Sequence, residues 1–230
     1  MSRVTVVCSL ARSNDYDEAY VLRLQEGIRK HTQGHVTFLC VSDTPVDNCW
    51  IAPSRYSFPG WWSKMELFRP DLPVGDVLIV DLGTIPCGDL TEILAVDRLT
   101  MLSDFFYPAK LASGLMYIPD HHKADVWHHF LNAPRRHIES HAAGGDGSFL
   151  TECFAHLKVD RWQDVLPGQV VSYKAHVRDQ KTPADVETGR AACTGDGHVP
   201  ANARVVCFHG KPRPRELGWQ LPAQKKAKVA

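Results

Sequence analysis

A buried strand that stops on a carboxylate constrains this chain more than any other feature. Val77 to Val80 is a continuous β-rich apolar run, the pattern of a strand covered on both faces, and it ends abruptly at Asp81. Open α/β sheets place their ligands beyond the carboxyl ends of such strands. A strand-end aspartate can equally cap a loop, so the flanking sequence has to discriminate. Upstream, Trp61, Met65 and Phe68 have the spacing of one face of a short helix, with Lys64 and Glu66 off that stripe. Arg69, Pro70, Pro73 and Gly75 then break the helix before the strand begins.

The rest of the chain supplies the sheet. Val4–Leu10 reads as a first buried strand, followed by a polar loop in which Ser13, Asn14 or Asp15 could cap a helix. Tyr20, Leu24 and Ile28 recur at four-residue steps through Tyr16–His31, and Gly34 stops that helix. Val36–Val41 is a second strand ending in Ser42-Asp43, completing a βαβ unit that should be parallel and right-handed. Such a unit delivers its two polar loops, Ser9–Asn14 and Ser42–Thr44, to the same edge of the sheet. No GxGxxG is present, so a dinucleotide fingerprint is absent. Further on, the pattern predicts a short helix Thr91–Val96 and strands Leu99–Leu102, Leu111–Pro119, Val170–Tyr173 and Arg204–Phe208. It also predicts helices Ala124–Leu131 and Ser148–Leu157. Asp47–Gly60 reads as irregular and Arg135–Gly145 as a mobile linker. Asp179–Ala203 reads as a flexible polar excursion and Gln224–Ala230 as a disordered Lys-rich tail.

Bulk composition bounds the classes. With 230 residues, 44% hydrophobic, 23% charged and zero formal charge, one soluble globular domain is expected, and nothing in the bulk balance points to nucleic acid or a membrane. The seven cysteines form no CxxC pair, which fits a reduced, cytoplasmic protein with no membrane segment. The twelve histidines include His137-x-x-x-His141, but no third ligand accompanies it and there is no HExxH. A nucleophile elbow, a Walker loop and a deaminase HxE…PCxxC are all missing.

Lys64, Leu67-Phe68 and VLIVDLGTIPCGDL together resemble the core of GT-A fold glycosyltransferases, in particular the glycogenin-like ones found in bacteria and bacteriophages. In those enzymes a Lys-bearing helix precedes a strand ending in Asp-x-Asp-Thr and a Gly-Asp-Leu turn. The resemblance implies a single GT-A-type, Rossmann-like domain over residues 1–217, its mostly parallel sheet flanked by helices, with a flexible tail over 218–230. It implies a nucleotide-sugar donor, of the uridine diphosphate kind, and a divalent metal (Mn²⁺ or Mg²⁺) held by Asp81 and His209. Ser9, Lys64, Ser113, Gly114, Gly210, Lys211 and Arg213 would contact the donor. Asp146 or Asp104 would face the reacting sugar. The acceptor is left open as a glycan, a protein or DNA with hydroxymethylated bases. One departure stands out: the second acid of the motif is Gly83. Losing one acidic ligand should weaken a hard cation's hold. The chain could then be a catalytically impaired nucleotide-sugar binder, for which Gly83→Asp is expected to raise activity.

Overall fold

The computed structural model describes residues 4–179 and 193–226. Strands β1 (Thr5–Leu10), β2 (Phe38–Ser42), β3 (Trp50–Pro53) and β4 (Val77–Val80) run parallel in the order β3-β2-β1-β4. Strand β7 (Leu111–Ile118) joins β4 antiparallel, and β6 (Thr100–Ser103) and the two-residue β8 (Asp160–Arg161) complete a seven-stranded sheet. The chain builds outward from β1 to β3, then returns to lay β4 on the other side of β1. That reversal is a topological switch point, and it opens a crevice beyond the carboxyl ends of β1 and β4.

Alternation along the central strands feeds two cores. Val6, Cys8, Leu78 and Val80 face one side, against helix α1 (Glu18–Lys30) with Tyr20, Leu24 and Ile28. Val7 and Ile79 face the other, against Met65, Phe68, Phe130 and Phe149. Helix α1 is capped by Asp17, whose Oδ1 accepts the Ala19 N–H at 3.1 Å, two residues beyond the expected cap region. Helix α2 (Thr91–Leu94) leads toward β6, and α3 (Asp120–Asn132) covers the second face with Val126, Trp127 and Phe130.

Four local expectations need correction. Residues 50–53 are not irregular but form β3, an edge strand too short to announce itself by pattern. Arg135–Gly145 is no linker: α4 (Pro134–Ser140) starts there with proline in its first turn, followed by α5 (Gly145–Cys153). Helix α4 buries no residue, so it leaves no apolar stripe in the sequence. The Trp61 helix is a 3-10 segment, Gly60–Phe68, and its buried side keeps Met65 and Phe68 as expected but differs from the expected one elsewhere. Lys64 and Glu66 lie inside while Trp61 lies outside. Glu66 can be buried because it accepts from Ser54 Oγ and from the Arg55 N–H at 2.7 Å, and pairs with Arg69 at 2.7 Å.

A second, three-stranded sheet joins β5 (Thr84–Pro86), β10 (Val205–Cys207) and β9 (Val170–Ser172). Strand β10 runs antiparallel to β5, with Cys207 opposite Thr84, which brings the end of the chain back beside the strand leaving Asp81. Helix α6 (Trp162–Val165) anchors the turn between the sheets through the buried Trp162, whose indole N–H donates to Leu115 O at 3.0 Å. Of the expected excursion, residues 180–192 lie outside the described residues, as do 227–230 of the expected tail. Before them, Trp219 packs edge-on to Tyr20 at 4.4 Å, and Gln224 Nε2 donates to Ala201 O and Ala203 O at 2.9 and 3.0 Å.

Candidate active site

The crevice at the switch point is floored by a lysine shared between two aspartates. Asp81 follows β4 directly. Because β7 runs antiparallel and overhangs that end, the Asp81 N–H donates to Gly114 O at 3.0 Å and Ser113 lies alongside. Asp146 arrives from the first turn of α5, which packs over β7. Lys64 comes up from the 3-10 segment beneath. Its Nζ lies 2.8 Å from Asp81 Oδ1, 2.6 Å from Asp146 Oδ2, and 3.0 and 3.2 Å from Ser113 Oγ and O.

The balance of charge there can be read directly. Lys64 is 4% exposed and Asp146 6%, whereas the Asp81 side chain is 40% exposed and opens to the crevice. Burial pulls the Lys64 pKa down, but the Asp146 and Asp81 carboxylates outweigh it and hold the ammonium above its ordinary value. Crowding by protein raises the Asp81 carboxyl; Lys64 pulls it back and Asp146 pushes it further up. With all three ionised, the floor keeps one net negative charge. An ammonium has three protons, and here Asp81, Asp146 and Ser113 take them all. Lys64 is therefore a clamp between the acids, with no proton left for the phosphate that the resemblance assigns to it.

The chain's end supplies the opposite wall. Phe208 N–H donates to Gly83 O at 2.8 Å, so the strand carrying His209 abuts the turn after Asp81. His209 Nε2 lies 2.7 Å from Ser172 Oγ, which also accepts the Ala175 N–H at 3.1 Å. Phe105 stacks on the imidazole at 5.6 Å, and Phe106 meets it edge-on at 5.3 Å. Gly210 follows with φ +69°, and a Cβ there would sit 3.2 Å from Lys174 Nζ. Lys211 is 70% exposed and lies 3.6 Å from Glu216 Oε1. Arg213 turns back to the loop after β1, donating to Tyr16 Oη at 2.5 Å and Asp15 Oδ2 at 3.0 Å. Burial pushes the Tyr16 hydroxyl up to about 12, although Arg213 opposes the shift.

Of the remaining expected residues, Ser9 closes β1 with Oγ 3.3 Å from Ser63 Oγ, within the 3-10 segment that carries Lys64. Asp104 follows β6 directly, where its Oδ1 accepts the Phe106 and Tyr107 N–H groups, both at 2.8 Å, and caps a turn. Ser172 and Tyr16 carry no functional reading in the sequence, and Asp15 only that of a helix-cap candidate. Their contacts depend on β9–β10 pairing and on a return of the chain across about two hundred positions, which no local pattern carries.

A divalent ion fits this donor set poorly. Asp81 Oδ1 is bound to the Lys64 ammonium, and His209 Nε2 to Ser172. Gly83 cannot simply be replaced by an acid, since a Cβ there would stand 2.7 Å from Phe208 O. Among the described residues, no three His, Cys, Asp or Glu side chains gather as a metal site. A hard cation needs several oxygen ligands, and the two acids of this floor, Asp81 and Asp146, are both already paired with the Lys64 ammonium.

The architecture has known counterparts. The chain is similar in fold to the galactosyltransferase LgtC, solved with donor and acceptor sugar analogues: TM-score 0.59, 11% identity, 92% of this chain and 89% of that one. It is also similar to the glycosyltransferase GlyE of Streptococcus pneumoniae TIGR4 (TM-score 0.64, 14% identity), covering 94% of this chain and 60% of that one. The bifunctional WbbM gives TM-score 0.55 at 14% identity, with 93% of this chain and 47% of WbbM covered. No family model and no curated protein sequence matches. At these identities the likeness concerns the fold: the mixed α/β architecture, its mostly parallel sheet flanked by helices, is that of GT-A-type glycosyltransferases. No helix among the described residues is long and apolar enough to cross a membrane.

Proposed function

We propose that this chain transfers a glycosyl group from a nucleotide-sugar, of the uridine diphosphate kind, to an acceptor hydroxyl. The observation that carries this reading is the Lys64 clamp, which holds Asp81 and Asp146 together at the switch-point crevice. In glycosyl transfer the bond from the anomeric carbon to the diphosphate oxygen breaks and one to the acceptor oxygen forms. Positive charge develops on the sugar and negative charge on the leaving diphosphate. The floor, with its net negative charge, suits the first, and Asp146 Oδ1, which carries no hydrogen bond among the described residues, is available to a sugar hydroxyl. The wall holding His209, Lys211, Arg213 and Lys174 suits the second. In this reading Lys64 is a positioning residue. Ser113 and Gly114 line the donor's side, and Asp104 shapes the Phe105–Phe106 turn against His209.

The test is release of nucleotide diphosphate from a panel of nucleotide-sugars, by wild type and by Asp81→Asn. Turnover by the wild type, lost in the variant while thermal unfolding stays within a few degrees, supports the assignment; equal turnover in both removes it. The impaired-binder alternative draws on the paired state of Asp81 and the close packing at Gly83. It is favoured if the wild type binds a nucleotide-sugar yet releases no nucleotide diphosphate. DNA with hydroxymethylated bases as acceptor would show itself as salt-dependent binding to duplex DNA.

A further inference from the structure

Trp61 is the most exposed large apolar side chain of the described residues, at 57%, and it stands at the mouth of the crevice. Two observations place it there. A 3-10 segment makes about three residues per turn, so positions i and i+3 eclipse. That spacing puts Trp61 on the same face of Gly60–Phe68 as Lys64. Its indole also presses on the turn that delivers Asp146: a Cβ on Gly145 would sit 2.7 Å from Trp61 Nε1, and Gly145 has φ +60°. Glycine at that position leaves room for the ring, beside the residue whose carboxylate meets Lys64. Trp62, its neighbour, is buried against Phe130 and Phe149, so packing fixes the segment while leaving Trp61 outside.

From this we infer that Trp61 is the acceptor platform and that the acceptor is a neutral saccharide whose pyranose ring stacks on the indole. The inference rests on the glycosyl-transfer reading above. A donor sugar reaching Asp146 lies deep, against side chains that are almost wholly buried, so the ring that meets an exposed indole at the rim is the next one out. The C–H face of a pyranose matches an aromatic face, and the Trp61 indole N–H, with no protein acceptor among the described residues, can donate to a ring hydroxyl. Cations on the chain segments that flank the Trp61 segment and α5 are paired with acids, which favours a neutral glycan over nucleic acid. His141 Nε2 faces Glu152 at 3.2 Å and Arg135 pairs with Glu139 at 2.9 Å. Arg55 pairs with Asp71 at 2.8 Å. A phosphate backbone needs a track of cations to displace its counterions, and these are matched by acids.

The experiment compares wild type, Trp61→Phe and Trp61→Ala, using lactose, cellobiose and maltose as probes in the presence of uridine diphosphate. Saturation-transfer NMR should show contact to sugar ring protons in wild type and Trp61→Phe. Trp61→Ala should bind the same sugar about tenfold more weakly. Saccharide binding that is equal in Trp61→Ala, or absent from wild type, overturns the platform. So does Trp61-dependent binding of duplex DNA. A wild type that no nucleotide-sugar stabilises overturns the transfer reading itself, which is a separate outcome.

Discussion

Replacing Gly83 by aspartate would restore, on paper, the second acid of an Asp-x-Asp motif, and the packing of β5 against β10 argues for the opposite result. A Cβ at position 83 stands 2.7 Å from Phe208 O and 3.2 Å from Tyr16 Oη. The carbonyl is backbone, and it belongs to the residue whose N–H bonds Gly83 O at 2.8 Å, so it cannot swing away cheaply. Overpacking of this kind costs roughly 1–3 kcal/mol, and losing the hydrogen bond adds about 1 kcal/mol. For a chain of this size about 1 kcal/mol moves Tm by roughly 2–4 °C, so Gly83→Asp should unfold roughly 5–15 °C lower than wild type. Gly83→Ala carries the same Cβ and should fall by a similar amount, which separates the steric cause from the added charge. Thermal unfolding followed by circular dichroism reads both variants, and turnover with and without Mn²⁺ reads function. A Gly83→Asp protein that unfolds with wild type to within about 1 °C and gains Mn²⁺-dependent activity would refute the steric reasoning.

Two further outcomes follow from the same groups. Lys64→Met leaves Asp146 buried beside Asp81 without a counter-charge and should cost about 3–5 kcal/mol in urea unfolding at neutral pH, with part regained in acid as a carboxyl takes up a proton. An unchanged midpoint would mean the clamp is not formed. Tyr16 has its hydroxyl raised from 10 to about 12, so the folded state holds that proton more tightly than the unfolded one. Its contribution is complete below pH 10 and fades as pH climbs toward about 12, so wild type should lose more stability over that window than Tyr16→Phe. Parallel losses in the two proteins would remove Tyr16 as the cause.

The parts of the molecule that were legible in the sequence are those governed by local pattern. The apolar runs behind β1, β2, β4, β7 and β10, and the stripe of Tyr20, Leu24 and Ile28, state their partners' faces outright. Asp81 and Asp146 were legible because a strand end and a glycine-rich helix start put polar groups at a sheet edge. What failed has a common physical cause. Glu66 and Arg69 are wholly buried because each satisfies the other, and charged residues announce nothing of that kind in a sequence. Lys64 was placed outside the apolar stripe for the same reason. The stripe of Trp61, Met65 and Phe68 assumes a period of about 3.6, whereas the segment turns at about 3.0, which puts Trp61 in line with Lys64 instead of Met65. The engagement of His209 by Ser172 depends on β9 lying beside β10, a pairing across more than thirty positions.

The central claim, that the clamped aspartates form the sugar end of a donor pocket, is tested most directly by calorimetric titration of Asp146→Asn beside wild type. Each would be titrated with a series of nucleotide-sugars and with the matching nucleotide diphosphates, in the presence of EDTA. At least one nucleotide-sugar should bind wild type, and Asp146→Asn should lose affinity for that nucleotide-sugar while keeping its affinity for the bare diphosphate. Equal binding of the nucleotide-sugar by both proteins, or no binding by either, would contradict it.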